Sequence, residues 1–197
     1  MKLSEENKKI INETLKNGGI VAYVTDTVWG VGCLPNNEKG AEKIYKLKHR
    51  DTSKPLILMS NEVKHLLPYV KNVGEKAKNC MEKFFPGALT LVFEKSEMTP
   101  YFVTSKKETV GIRVPKNKIF QKLCDIIEGH VLATTSANIS GETPAMTYKE
   151  AIEKLGNLVD IVIEDEFDPA TGEPSTVAMV TDKQTTIFRQ GKIELKV

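Results

Sequence analysis

The chain of 197 residues carries 28 Lys plus Arg against 26 Asp plus Glu, a formal net charge of +2, with 40% hydrophobic and 27% charged residues. That mixture excludes wholesale disorder, a collagen-like fibre and a coiled coil, and a chain of this size buries about two-thirds of its unfolded surface without staples. No run of 18 apolar residues occurs, so no membrane-spanning helix is expected.

In chain order, Ser4 caps a first helix with Ile10, Ile11, Thr14 and Leu15 on its apolar face, stopped by Gly18-Gly19. Ile20 to Val24 reads as a buried strand and passes into Thr25-Asp26-Thr27-Val28-Trp29-Gly30-Val31-Gly32, where hydroxyls and small residues replace the core pattern. A second helix runs from Glu38 to Leu47 on Ala41, Ile44, Tyr45 and Leu47, and a short strand covers Leu56 to Met59. Ser60 caps a short helix through Leu66, and a further helix from Gly74 to Phe85 stops at Pro86-Gly87. Leu89 to Phe93 and Val110 to Val114 are strands flanking a loop. Asn117 caps a helix reaching Glu128, and Val131 to Thr135 is another apolar strand. Thr147 and Glu150 have capping-box spacing ahead of Ala151, Ile152 and Leu155, and strands from Ile161, Thr176 and Thr185 complete the pattern. The interleaving predicts one α/β domain over residues 1–197, built on a mixed, twisted sheet flanked by helices.

Three segments share one pattern, an apolar strand giving way to hydroxyls, small residues and a charge or amide: Thr25-Asp26-Thr27, Arg113-Val114-Pro115 and Thr135-Ser136-Ala137-Asn138. Such groups either cap their own turns or donate to carboxylate and phosphate oxygens, and the carboxyl ends of strands are the common place for the latter. Lys48-His49-Arg50-Asp51-Thr52-Ser53-Lys54 is a dense basic run. On an extended backbone Lys48 and Arg50 share one side and suit a polyphosphate; as a post-helix loop, Lys48 answers the helix dipole instead. Arg113, inside an apolar strand, requires solvent on that face or a buried anion, and Arg189 repeats the situation in Thr186-Ile187-Phe188-Arg189. Trp29 either stacks on a base or plugs the core.

Other signals point away from chemistry. Gly30-Val31-Gly32 lacks the third glycine of a dinucleotide fingerprint, no Walker A sequence occurs, and Ser136 lies outside a nucleophile elbow. Cys33, Cys80 and Cys124 are dispersed and odd in number, and the polar N-terminus has no export core, so reduced thiols and a cytoplasmic location are expected. His49, His65 and His130 form no ligand spacing, so no structural metal is expected, and the acidic run from Glu164 to Asp168 reads as a solvated face, with a metal role as the alternative.

Taken together, Thr25 to Gly32, Lys48-His49-Arg50 with Lys54-Pro55-Leu56, Pro86 to Thr90, Val110 to Pro115, Ser136 to Gly141, Pro174 to Val177 and Arg189-Gln190-Gly191 resemble, in order, the blocks of the Sua5/YrdC/TsaC family. The resemblance implies a twisted open sheet around a large concave pocket. It also implies synthesis of L-threonylcarbamoyladenylate and pyrophosphate from L-threonine, bicarbonate or CO2, and ATP, with Mg²⁺ accompanying the nucleotide. The product would feed modification of adenosine 37 in tRNA by a separate transferase complex, with at most weak contact to tRNA by this chain. Carried over by position, Thr27, Arg113, Ser136 and Ser175 would hold threonine. Lys48, Arg50, Lys54, Thr109, Asn138, Thr147 and Arg189 would hold ATP. Lys48 and Arg50 would stabilise the phosphates, and Ser136 and Asn138 the carbamate. Trp29 stands where the family usually has tyrosine, and Met59 where some relatives carry histidine. A related domain of hydrogenase-maturation carbamoyltransferases belongs to longer, cysteine-rich chains, unlike one with three cysteines. A purely RNA-binding module would show RNP, KH or similar motifs, and this sequence shows none.

Overall fold

The computed structural model describes residues 1–48, 53–138, 142–164 and 170–195. Helix α1, Glu5–Lys16, begins where Ser4 Oγ accepts the Asn7 N–H at 3.2 Å, with Glu5 and Glu6 in its first turn. Ile11 and Leu15 are buried, but Ile10 is 46% exposed because it lies a full 100° step off their stripe. Gly18, at φ +84°, supplies the left-handed residue that ends the helix.

Strand β1 (Val21–Tyr23) pairs antiparallel with β2 (Gly30–Cys33), opposing Tyr23 to Gly30. The sequence pattern gave no strand at β2, because Gly-Val-Gly has poor strand propensity. The reason for glycine is the Tyr23 ring. A Cβ at Gly30 would meet that ring at 3.0 Å, and one at Gly32 would meet its hydroxyl at 2.9 Å. These glycines make room for the Tyr23 side chain.

Helix α2 (Glu38–Leu47), capped by Asn37, precedes β3 (Ile57–Ser60) and the single turn α3 (Val63–Leu66). Ser60 does not cap α3; it ends β3, and its hydroxyl donates to the His130 carbonyl at 2.6 Å. Then follow α4 (Glu75–Phe84), β4 (Leu89–Glu94), α5 (Tyr101–Thr104) and β5 (Thr109–Arg113). Helix α6 (Lys118–Ile126), capped by Asn117, stops two residues short of the predicted Glu128. Strand β6 (Val131–Ser136), α7 (Tyr148–Leu155), β7 (Ile161–Val162), β8 (Thr176–Val180) and β9 (Thr185–Arg189) complete the order. At α7 the Thr147 hydroxyl accepts from Glu150 N–H, while the Glu150 carboxylate reaches back to Met146 N–H.

The strands form one mixed sheet in the order β7-β1-β2-β6-β3-β5-β4-β8-β9. Its register sorts the faces. Val31, Ala133, Leu58, Ile112, Leu91 and Ala178 fall on one side and are fully buried in the core. On the other side the same strands present Gly30, Thr134, Ser136, Ile57, Met59, Arg113, Thr90, Val177 and Arg189. One face is apolar; the other carries hydroxyls and two guanidinium groups.

Candidate active site

That polar face is the floor of a cavity of about 370 Å³. The loop with Thr25, Thr27, Val28 and Trp29 walls one side; Pro55, Pro144, Gly172 and Pro174 close others. The cavity runs across the face of the sheet from β6 to β9, and the three segments singled out at strand ends meet in its wall through Thr25, Thr27, Arg113, Thr135 and Ser136. Gly30, Thr90, Thr134 and Ser136 are small or hydroxylated and leave space on this face beside Ile57, Met59 and Val177, where larger side chains would otherwise pack.

Arg113 is 2% exposed, and the buried anion its place in an apolar strand demands comes from the chain itself. Its Nη2 donates to Asp26 Oδ1 at 2.6 Å, Nη1 to Thr27 Oγ1 at 2.8 Å and Nε to the Gly87 carbonyl at 2.9 Å. Burial pulls the Arg113 pKa below the usual arginine range, and the Asp26 carboxylate opposes that fall. Thr27 is itself held by Thr25, whose hydroxyl lies 3.0 Å from that of Thr27.

At the β8–β9 side, Arg189 donates from Nε to the Ser175 carbonyl and from Nη2 to Ser175 Oγ, both at 3.0 Å. Ser175 Oγ also lies 3.0 Å from Thr90 Oγ1, which makes a hydroxyl chain between the two arginine strands. Partial burial lowers the Arg189 pKa as well. Gly191 allows this packing, since a Cβ there would come within 2.2 Å of the Pro174 carbonyl oxygen. That explains a glycine two residues after the arginine.

At the β6 side, Ser136 lines the cavity and its hydroxyl donates to Asn138 Oδ1 at 2.6 Å. Lys48 ends α2 in a helical conformation and is 1% exposed. Its ammonium donates to the carbonyls of Ser136 and Asn138, each at 2.5 Å, and to Asn138 Oδ1 at 2.9 Å. It thus reaches the cavity through the Ser136–Asn138 turn that it clamps, and does not line the cavity itself.

The structure brings together Thr27, Arg113, Ser136, Ser175 and Arg189 in the cavity wall. Asn138 stands just behind Ser136. Lys54 is exposed beside the wall residue Pro55, and Thr109 shares the cavity face of β5 two residues beyond Gly111, away from Arg113. Thr147 is exposed at the α7 cap, three residues from the wall residue Pro144. Arg50 lies outside the described residues, as do 139–141 of the serine–asparagine block and 165–168 of the acidic run. Sequence reasoning gave no role to Asp26 or Thr90. The signal for Thr90 was a hydroxyl inside an apolar strand, and for Asp26 its charge within the Thr25-Asp26-Thr27 segment. Trp29 is wholly buried in the cavity wall, its ring 6.3 Å from that of Tyr148, and its indole N–H has no hydrogen-bond partner among the described residues.

A mixed sheet flanked by helices, with one apolar face and one guanidinium- and hydroxyl-bearing face that floors a cavity, places the chain among α/β proteins. Comparison with known proteins makes the assignment specific. The Sua5/YciO/YrdC family model, described as "Telomere recombination", matches residues 13–191. The chain is 33% identical over 188 residues to a threonylcarbamoyl-AMP synthase of Vibrio vulnificus, covering 94% of this chain and 98% of that one. It superposes on the P. abyssi Sua5 structure complexed with L-threonine with a TM-score of 0.87 at 30% identity. That match covers 95% of this chain and 55% of the other, so the chain spans about half the length of that relative. E. coli YciO matches at TM-score 0.81 and 26% identity, over 93% of this chain and 90% of its own. The chain belongs to the Sua5/YrdC/TsaC family and is a homologue of the threonylcarbamoyl-AMP synthases.

Proposed function

We propose that this chain is an L-threonylcarbamoyladenylate synthase acting in the cytoplasm. The observation that carries the reading is the row of Thr27, Arg113, Ser175 and Arg189 in one cavity, donors suited to a carboxylate and to phosphates together. The relatives support it: one is named for this product, and another was crystallised with L-threonine.

In the proposed reaction the threonine amine attacks CO2, losing a proton and giving an N-carboxylate. One oxygen of that carboxylate attacks the α-phosphorus of ATP, the bond to the β-phosphate oxygen breaks, and pyrophosphate leaves. No enzyme nucleophile is needed, so positioning and charge neutralisation do the work. Thr27, Arg113 and Ser175 hold the amino acid, Arg189 offers a second guanidinium to the phosphates, and Ser136 and Asn138, clamped by Lys48, face the carbamate. Arg50, Lys54, Thr109 and Thr147 complete the nucleotide set. Mg²⁺ accompanying ATP would supply charge compensation for its phosphates, with the chain's own contribution coming from its basic side chains. The adenylate is then consumed by a tRNA threonylcarbamoyl transferase complex acting on adenosine 37.

Radiolabelled bicarbonate incorporation with ATP and Mg²⁺, followed alongside pyrophosphate release for a set of amino acids, tests the reading. Label and pyrophosphate should appear together, with threonine strongly preferred over serine. Silence with threonine and turnover with carbamoyl phosphate would move the chain to carbamoyl transfer.

A further inference from the structure

We propose that Asp26 is a positioning residue that holds Arg113 and tempers its charge, so that an anionic ligand meets a half-compensated guanidinium. This rests on the reading that Arg113 receives the carboxylate of the amino acid. Asp26 does not line the cavity; its carboxylate, 15% exposed, approaches Arg113 from a neighbouring groove while its backbone carbonyl accepts the Thr171 hydroxyl at 3.0 Å. It is fixed from both ends.

The donor count gives the consequence. An arginine has five N–H groups, and here Asp26, Thr27 and Gly87 take one each, leaving two for a ligand. Those three bonds fix the plane of the guanidinium before any ligand arrives. The Asp26 charge also remains beside any carboxylate bound on the far side of Arg113, and the two carboxylates repel across it. An enzyme that must release an acidic product gains from that repulsion, because an uncompensated buried arginine would retain both substrate and product.

The test uses the full chain with Asp26→Asn, which keeps an acceptor for Arg113 Nη2 and removes the charge. L-Threonine binding by calorimetry should tighten about tenfold, whereas L-threoninamide, which lacks the carboxylate, should bind both proteins alike. Turnover should fall as product release slows. Unchanged or weaker threonine affinity in the folded variant would overturn the proposal and leave Asp26 a folding residue. Should Asp26→Asn not fold, Asp26→Glu keeps the charge and displaces the guanidinium. The threonine KM should then rise at least about fivefold with the ATP KM unmoved; wild-type constants would overturn the proposal. A readout independent of the proposed function is melting in sodium sulfate against sodium chloride. The uncompensated arginine of Asp26→Asn should gain more from sulfate than wild type does. If wild type fails to bind threonine but this difference appears, the function falls and the Asp26 inference stands; equal gains remove the inference whatever the activity.

Discussion

Arg113 ties Asp26, Thr27 and Gly87 together at one end of the cavity, and its fork geometry matters as much as its charge. Lysine there would keep a positive charge but could not serve Asp26, Thr27, Gly87 and a ligand at once. Arg113→Lys should therefore weaken L-threonine binding about 100-fold, read by calorimetry on a sample shown by circular dichroism to be folded. Cys33 gives a different prediction. Burial pushes its thiol from 9.0 up to about 12, and burial raises Cys124 well above its ordinary value too. Above pH about 9 the unfolded chain releases these protons while the folded chain retains them, so unfolding is favoured as pH rises. Stability should be fully present below pH 9 and decline between 9 and about 12, visible as a falling Tm across that window. At pH 8 a thiol reagent should label one of the three cysteines, the half-buried Cys80, and all three once the chain is unfolded.

Elements show how a packing rule can look like a binding motif. Gly30 and Gly32 are small because the Tyr23 ring crosses β2, with its hydroxyl bonded to Thr134 Oγ1 at 2.5 Å. Gly32→Ala should cost about 1–3 kcal/mol of stability. In a Tyr23→Phe background, where the hydroxyl at 2.9 Å is gone, the same change should cost less. A double-mutant cycle by urea unfolding checks this, and additive costs would contradict the packing account. The same elements show what sequence could reveal. Helix caps at Ser4, Asn37, Asn117 and Thr147 are local chemistry within four residues, and the cap at each of these positions is where the residue type says it should be. The strand at β2 was hidden, because what makes Gly-Val-Gly a strand is a tyrosine on the neighbouring strand and a β6 partner a hundred residues away. Ser175 came only from the family resemblance, whereas Thr27, Arg113, Ser136 and Arg189 were legible as polar groups breaking apolar patterns. Their placement across a sheet face was not, since register between distant strands decides it. Lys48 shows the same limit: its charge and place after a helix are local facts, but its use as a clamp on Ser136 and Asn138 spans 88 and 90 positions.

Across the molecule, the nine strands of the described residues do not contribute equally. Strands β6, β3 and β5 lie inside the sheet with buried partners on both sides, while β9 is an edge whose residues are mostly half-buried or exposed. Hydrogen exchange should accordingly open β9 first and the central strands last. Because β9 carries Arg189, threonine with ATP should slow its exchange more than that of β7 at the opposite edge, measurable by mass spectrometry. Equal protection of both edges would place the ligand elsewhere. The buried indole in the cavity wall adds a practical property. Trp29 is the sole tryptophan of the chain, so the tryptophan emission is a single-site signal from the cavity wall. Wholly buried, with an indole N–H that has no partner among the described residues, the ring should emit towards the blue and respond in wavelength and lifetime when an acceptor atom enters. The protein is in effect its own optical titration sensor, readable without a label.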